Sequence, residues 1–173
     1  MEPTNKAKYL EMVIAAEKEF DIPNGYIQRM IGTESAWNDD PNLTSSKGAQ
    51  GIAQFMPETA RAYTAKVGAK YEDRNKPEVA FRMAGKYLRD LADMFNKDTD
   101  QFNKDHSWML AIASYNYGRE NVLKKLKKFG SSIESLQHLP DETVKYLDKV
   151  FYGGRGQIAS TGEYQQTAQK KTL

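Results

Sequence analysis

Apolar residues recur along this chain at helical spacing, and they do so in separate blocks. Tyr9, Val13, Ala16 and Phe20, with Met12 beside them, mark a first helix that Thr4 or Asn5 could cap. Pro23 and Gly25 in "DIPNG" break it. Tyr26, Ile27, Met30 and Ile31 mark a second helix ending near Trp37, with Glu34 near its apolar side. "NDDPNLTSSKGAQG" is dense in turn formers and reads as a structured loop, with room for a small hairpin. Pro57 opens a helix that closes at Gly68. Ala80, Ala84, Tyr87, Leu88, Leu91 and Phe95 predict a long amphipathic helix, and the polar "NKDTDQFNKDH" predicts a loop after it. "SWMLAIASYNYG" is apolar nearly all round, as a buried central helix would be. "RENVLKKLKKF" predicts a basic amphipathic helix and "PDETVKYLDKVFY" a last one. No strand alternation runs beyond a few residues, so the fold class is all-α.

Residues 1–152 read as one domain, a fair size for a single core. From Gly153 to Leu173 large apolar groups thin out and Gly, Gln, Thr and Lys take over, which reads as a flexible tail or linker. Of the 173 residues, 25 are basic and 23 acidic. That near-balance does not point to nucleic acid. The chain has no cysteine, which removes thiolate nucleophiles, disulfides and cysteine metal sites. His106 and His138 lack metal-ligand spacing. No cofactor or metal is expected. No window approaches a membrane span and no N-terminal secretory signal is visible.

Glu34 is the residue with the sharpest chemistry. A carboxyl placed toward an apolar helix side loses hydration, which disfavours its charged form and suits a proton donor. A carboxylic acid still protonated near neutral pH is what general-acid cleavage of a glycosidic bond needs. Gly48 and Gly51 allow close backbone approach to a ligand, and Ser45 and Gln54 can hydrogen-bond sugar hydroxyl or amide groups. Tyr115, Asn116, Glu142 and Tyr146 add polar groups farther along. Each of these has an ordinary structural role when taken singly: helix end, core aromatic, or charge in a first turn.

Four stretches in order change that balance. "ESAWN" (Glu34–Asn38), "SSKGAQGIAQFMPETA" (Ser45–Ala60), "ASYNYG" (Ala113–Gly118) and "ETVKYLDKV" (Glu142–Val150) together resemble the catalytic domain of the soluble lytic transglycosylases, relatives of goose-type lysozyme. The resemblance spans about residues 9 to 152. It implies a lysozyme-like fold of about seven to nine helices around a buried central helix, with a substrate cleft. It implies action on peptidoglycan glycan strands in the cell wall, at the β-1,4 bond between N-acetylmuramic acid and N-acetylglucosamine. An enzyme of that kind without a visible signal would be a phage virion or lysis protein, a piece of a longer chain or a bacterial domain after signal removal, the first two fitting best, with other virion or secretion-system components as candidate partners. Glu34 would be acid and then base, and the product a 1,6-anhydro sugar. Ser45 and Gln54 would line the cleft and Met56 its apolar wall. Tyr115 would position the carboxyl, with Asn116 beside it. Glu142 and Tyr146 would lie near the sugar subsites.

The chain departs from the family at Ala53, where a methionine is usual, and at Tyr117, where a small residue is usual. The segment before Ser45 is also slightly longer. Two alternatives stay open. One is a goose-type hydrolase, for which Asp39, Asp40, Glu58, Asp73 or Glu142 would be the second carboxylate. The other is a non-catalytic glycan-binding virion module.

Overall fold

The computed structural model of the chain describes residues 5–98, 104–130 and 133–154. In chain order these form α1 (Asn5–Glu19), α2 (Tyr26–Ser35), α3 (Pro57–Lys66), a 3-10 turn (Tyr71–Asp73), α4 (Pro77–Asp98), α5 (Lys104–Tyr117), α6 (Arg119–Phe129), a second 3-10 stretch (Ile133–His138) and α7 (Asp141–Phe151). Among the described residues there is no strand beyond two isolated antiparallel bridges, Thr44 to Gln50 and Gln50 to Phe55. The fold class is all-α, and those bridges are the small hairpin for which the sequence left room.

α4 and α5 each reach into the segment expected to be a loop, to Asp98 and from Lys104. Polar side chains extend a solvent-facing helix end readily once the apolar turns beside it are packed. Met12 stands exposed rather than joining the apolar stripe of α1. The chain divides into two compact units, 1–89 and 90–173, and the division falls inside α4. The stretch read as one domain, 1–152, therefore contains parts of both. Of the expected tail, Gly153 and Gly154 are exposed and residues 155–173 lie outside the described residues.

In the first unit α1 packs on α2. Val13, Ile27, Met30, Ile31, Ile52, Phe81, Met83, Ala84 and Leu88 are fully buried there. Removing one such aromatic, Phe81, is of the order that costs about 3–5 kcal/mol. The end of α1 also runs close to α4 at Gly85, where a methyl group would meet the Phe20 ring at 2.7 Å.

The entry into α2 is built from outside that helix. Gly25 precedes it in a left-handed turn, φ 100°, and supplies no side-chain cap. The buried carboxylate of Glu17 on α1 caps it instead. Glu17 Oε2 accepts the backbone N–H groups of Gly25 and Ile27 at 2.9 Å and of Gln28 at 3.4 Å, while Oε1 accepts Gln28 Nε2 at 2.8 Å. Four free N–H groups at a helix start attract an anion, and hydrogen bonds to a charged group each contribute about 1.5–3 kcal/mol.

In the second unit α5 packs against both α6 and α7. Met109 through Ser114 are buried without interruption, as the all-round apolar pattern of "SWMLAIAS" demands. Val144, Leu147 and Val150 supply the facing side of α7.

Candidate active site

Glu34 lies in the last turn of α2 and is half-buried. The chain leaves the helix just after it through two consecutive left-handed residues, Ala36 (φ 51°) and Trp37 (φ 64°). Non-glycine residues adopt that region at a cost of roughly 1–2 kcal/mol each, so something must hold it. Ala36 N–H donates to Gly32 O at 3.1 Å, which closes the helix end. The Trp37 indole is buried and turns edge-on to Phe81, with centroids 6.3 Å apart. Its Nε1 sits 3.3 Å from where a side chain on Gly32 would begin, so any larger residue there would have to push the indole aside. α1 then holds the segment from below. Asn5 Nδ2 donates to Trp37 O at 3.1 Å, so this side chain braces the bend instead of capping its own helix. Thr4, the other expected cap, lies outside the described residues.

Asp39 follows immediately. Its Oδ2 accepts the Tyr9 hydroxyl at 2.6 Å, with the Lys8 ammonium 4.0 Å away. The hydrogen bond to this carboxylate raises the Tyr9 pKa and keeps the hydroxyl a donor. Asp40 Oδ1 accepts Asn42 N–H in a tight turn, and Asp73 pairs with Lys76 at 3.0 Å. All three aspartates weighed as a second carboxylate are thus engaged in shaping the fold. Glu58 and Glu142 are exposed, each in the first turn of its helix.

Ser45, Gln54 and Met56 come together on one doubled-back loop. Gln50 and Phe55 exchange two backbone hydrogen bonds, 2.9 and 3.2 Å, and Gly51 N–H reaches Leu43 O at 2.8 Å. The exposed Ser45 accepts Ala49 N–H on its hydroxyl oxygen at 3.0 Å, which leaves the hydroxyl proton to donate outward. Gln54 is also left-handed, φ 51°, and its Nε2 donates to Gly51 O at 2.8 Å. Its Oε1 is turned to acceptor duty. Met56 is 45% exposed, with its methyl 3.9 Å from the Cβ position of Gly48.

Two neighbours that sequence reasoning missed fix this loop. Arg74, stacked on Tyr71 at 4.2 Å, donates from Nε and Nη2 to Gln50 Oε1, both at 3.3 Å. Asn75 Nδ2 donates to Pro41 O at 3.0 Å. Its Oδ1 lies 2.6 Å from where a Cβ on Gly51 (φ 73°) would stand. "EDRNKP" carries no periodic signal, so only the folded chain reveals what these two do.

In the second unit Tyr115 and Asn116 occupy the last turn of α5, both half-buried, and Glu142 and Tyr146 lie on α7. Glu142 is exposed, whereas Tyr146 is only 4% exposed and packs with the core. The link between the helices is Thr143, buried, whose hydroxyl donates to Asn116 Oδ1 at 3.0 Å. With its oxygen engaged, the Asn116 amide is turned to present its N–H groups. Sequence reasoning missed Thr143 too, although it sits inside the "ETVKY" stretch, where the motif itself was a signal.

A half-buried glutamate at a braced helix end, followed by a glycine-hinged loop, is accompanied by a family match over residues 11–137, to the transglycosylase SLT domain. The chain belongs to the transglycosylase SLT domain family. It is 30% identical over 146 residues to membrane-bound lytic murein transglycosylase D of Escherichia coli, a match covering 82% of this chain and 30% of that protein. It is 31% identical over 108 residues to membrane-bound lytic murein transglycosylase F 2 of Alkalilimnicola ehrlichii, covering 62% of this chain and 22% of that one. The chain therefore spans less than a third of the length of these relatives. Its fold is similar to that of lytic transglycosylase Slt from Pseudomonas aeruginosa, solved as an inactive glutamate-to-glutamine mutant. The TM-score is 0.67 at 24% identity, over 98% of this chain and 25% of that one. The SLT domain thus has the lysozyme-like all-α architecture. Among its described residues no group of acidic or histidine side chains could hold a metal ion, and no helix is long and apolar enough to cross a membrane.

Proposed function

We propose that this SLT domain is a peptidoglycan lytic transglycosylase with Glu34 as its one catalytic carboxyl. The observation that carries the reading is Glu34 itself, held half-buried at the end of α2 in a chain of this family. Protonated Glu34 gives its proton to the glycosidic oxygen between N-acetylmuramic acid and N-acetylglucosamine, and the C1–oxygen bond breaks. The acetamido oxygen of the same sugar takes up the positive centre at C1. The Glu34 carboxylate then removes the proton from the 6-hydroxyl, and O6 displaces the acetamido oxygen at C1 to close the 1,6-anhydro ring. The proton returns to Glu34 and no water is consumed.

We assign Ser45, Gln54, Met56, Tyr115, Asn116 and Glu142 to sugar contacts; Tyr146, expected beside them, is buried and supports α7 from the core instead. Asn116 would act as a donor, since Thr143 occupies its oxygen. A hydrolase needs a second carboxylate free to activate water. Asp39, Asp40 and Asp73 are taken up by Tyr9, Asn42 and Lys76, which leaves a hydrolase only the exposed Glu58 and Glu142 to draw on. In this reading the place of action is the cell wall, reached by delivery from a phage virion or at lysis, or as part of a longer protein, with other virion or secretion-system components as candidate partners.

Mass spectrometry of products from purified peptidoglycan tests the reaction. Muropeptides about 18 daltons lighter than hydrolysis products, without a reducing muramic end, are expected from the internal O6 attack. Reducing ends would mean that water attacks and that the assignment of a transglycosylase is wrong.

A further inference from the structure

Cations in the two units are treated differently. In the first, Arg82 pairs with Glu19 at 2.7 Å, Lys76 with Asp73 at 3.0 Å and Lys8 with Asp39 at 4.0 Å. α6 carries Arg119, Lys124, Lys125, Lys127 and Lys128 against one acidic residue, Glu120. Among the described residues no carboxylate pairs with any of its four lysines. Lys124, Lys127 and Lys128 are exposed, and Lys124 lies one turn before both of the others, roughly 5–6 Å from each at Cβ. The end of the helix is pinned by Phe129, whose ring stacks on His138 at 3.8 Å and 10°. The ammonium groups of Lys125 and Lys128 stand 5.7 and 5.2 Å from that ring.

The apolar side of α6 is already used. Val122 is buried, Leu123 and Leu126 are half-buried, and Phe129 is held by His138. The one large apolar side chain still exposed on this helix is Phe129, 37% exposed and stacked on His138, so what the helix mainly offers is point charge. A stem peptide carries several carboxylates on one short flexible chain, which neighbouring ammonium groups can meet together, whereas a strand without peptides offers one lactyl carboxylate per disaccharide. We infer that α6 is a docking face for the stem-peptide carboxylates of peptidoglycan, engaged through Lys124, Lys127 and Lys128. This rests on the functional reading above and adds to it a reason to prefer peptide-bearing strands.

The test is titration calorimetry at low salt, with Glu34→Gln in every protein so that the strands stay intact. The ligands are glycan strands with their stem peptides, and the same strands stripped by an amidase to the lactyl carboxylate. Replacing the three lysines together by Gln keeps helix propensity. It is expected to weaken binding of peptide-bearing strands roughly tenfold, since each exposed pair contributes little alone. Stripped strands should bind unchanged, and a triple Lys→Arg variant should bind both like the parent. An equal loss on both ligands, or no loss on either, would overturn the inference. So would lysine-dependent binding to phosphatidylcholine–phosphatidylglycerol vesicles with strand binding unaltered, which would assign the face to lipid. The Glu34-intact protein is assayed for cleavage separately. Lysine-dependent binding together with no cleavage would sink the proposed reaction and leave the docking face standing.

Discussion

The first unit holds its candidate residues beside a bend and on a loop, the second on the turns of two packed helices. Glu34 ends α2 just before a left-handed bend, and Ser45, Gln54 and Met56 stand on a doubled-back loop. Side chains from elsewhere in that unit hold these segments: Glu17 at the start of α2, Asn5 and Tyr9 at the bend, Arg74 and Asn75 at the loop. Asn116 in the second unit is linked to its neighbouring helix by one side-chain bond, from Thr143, while continuous apolar packing carries the rest. The difference has a physical reason. A helix satisfies its own backbone, so burial alone can place what it carries. A loop has no ladder, and each reversal in it must be fixed by a specific polar partner or a glycine. The first unit should therefore be sensitive to substitutions that barely alter volume. The second should tolerate them and lose orientation rather than stability.

Glu34→Gln gives the largest effect on activity. It removes the proposed proton donor with almost no change of shape. Cleavage of peptidoglycan should be abolished while the melting temperature and strand affinity stay near those of the parent. Turnover above trace level in that variant would move the acid to another residue.

Among substitutions that barely alter volume, the largest stability effect is expected at Gly51→Ala. The new methyl would meet Asn75 Oδ1 at 2.6 Å in a left-handed backbone. The cost should be about 2–4 kcal/mol, from the strained φ plus displacement of the Asn75 clamp. Chemical denaturation measures it, and a loss below about half a kcal/mol would show that the loop is looser than its hydrogen bonds imply.

Thr143→Val is the smaller, matching change in the second unit. It keeps the side-chain shape and removes the donor to Asn116. Stability should fall by only about 1 kcal/mol. The rate should fall more than stability predicts, through kcat rather than KM, and Thr143→Ser should restore it. An unchanged kcat would mean that the Asn116 amide does not need its orientation fixed.

Much of the fold was legible because helix periodicity is a local property. The blocks around Val13, Ile27, Leu88, Ile112 and Leu147 each announce a buried side, and all lie in the core. Misreadings gathered at ends. "NKDTDQFNKDH" is polar enough to read as a loop, yet helices enter it from both sides, because a packed helix carries polar turns beyond its apolar stripe. Asn5 has the position of a cap, but its amide reaches Trp37, thirty-two residues away.

By itself the sequence determined the helical class, the order of the elements, the four motifs and the identity of Glu34 as the carboxyl to watch. These depend on residue type and spacing along the chain. Tertiary structure alone decided that Glu17 caps α2, that Arg74 and Asn75 clamp the loop, and that Thr143 turns the Asn116 amide. It also decided that the aspartates beside Glu34 are spent on shape, and that the lysines of α6 stand without carboxylate partners among the described residues. A hydrogen bond or an ion pair is made between atoms brought within about 3 Å, and no pattern of residue types records which distant atoms folding brings that close.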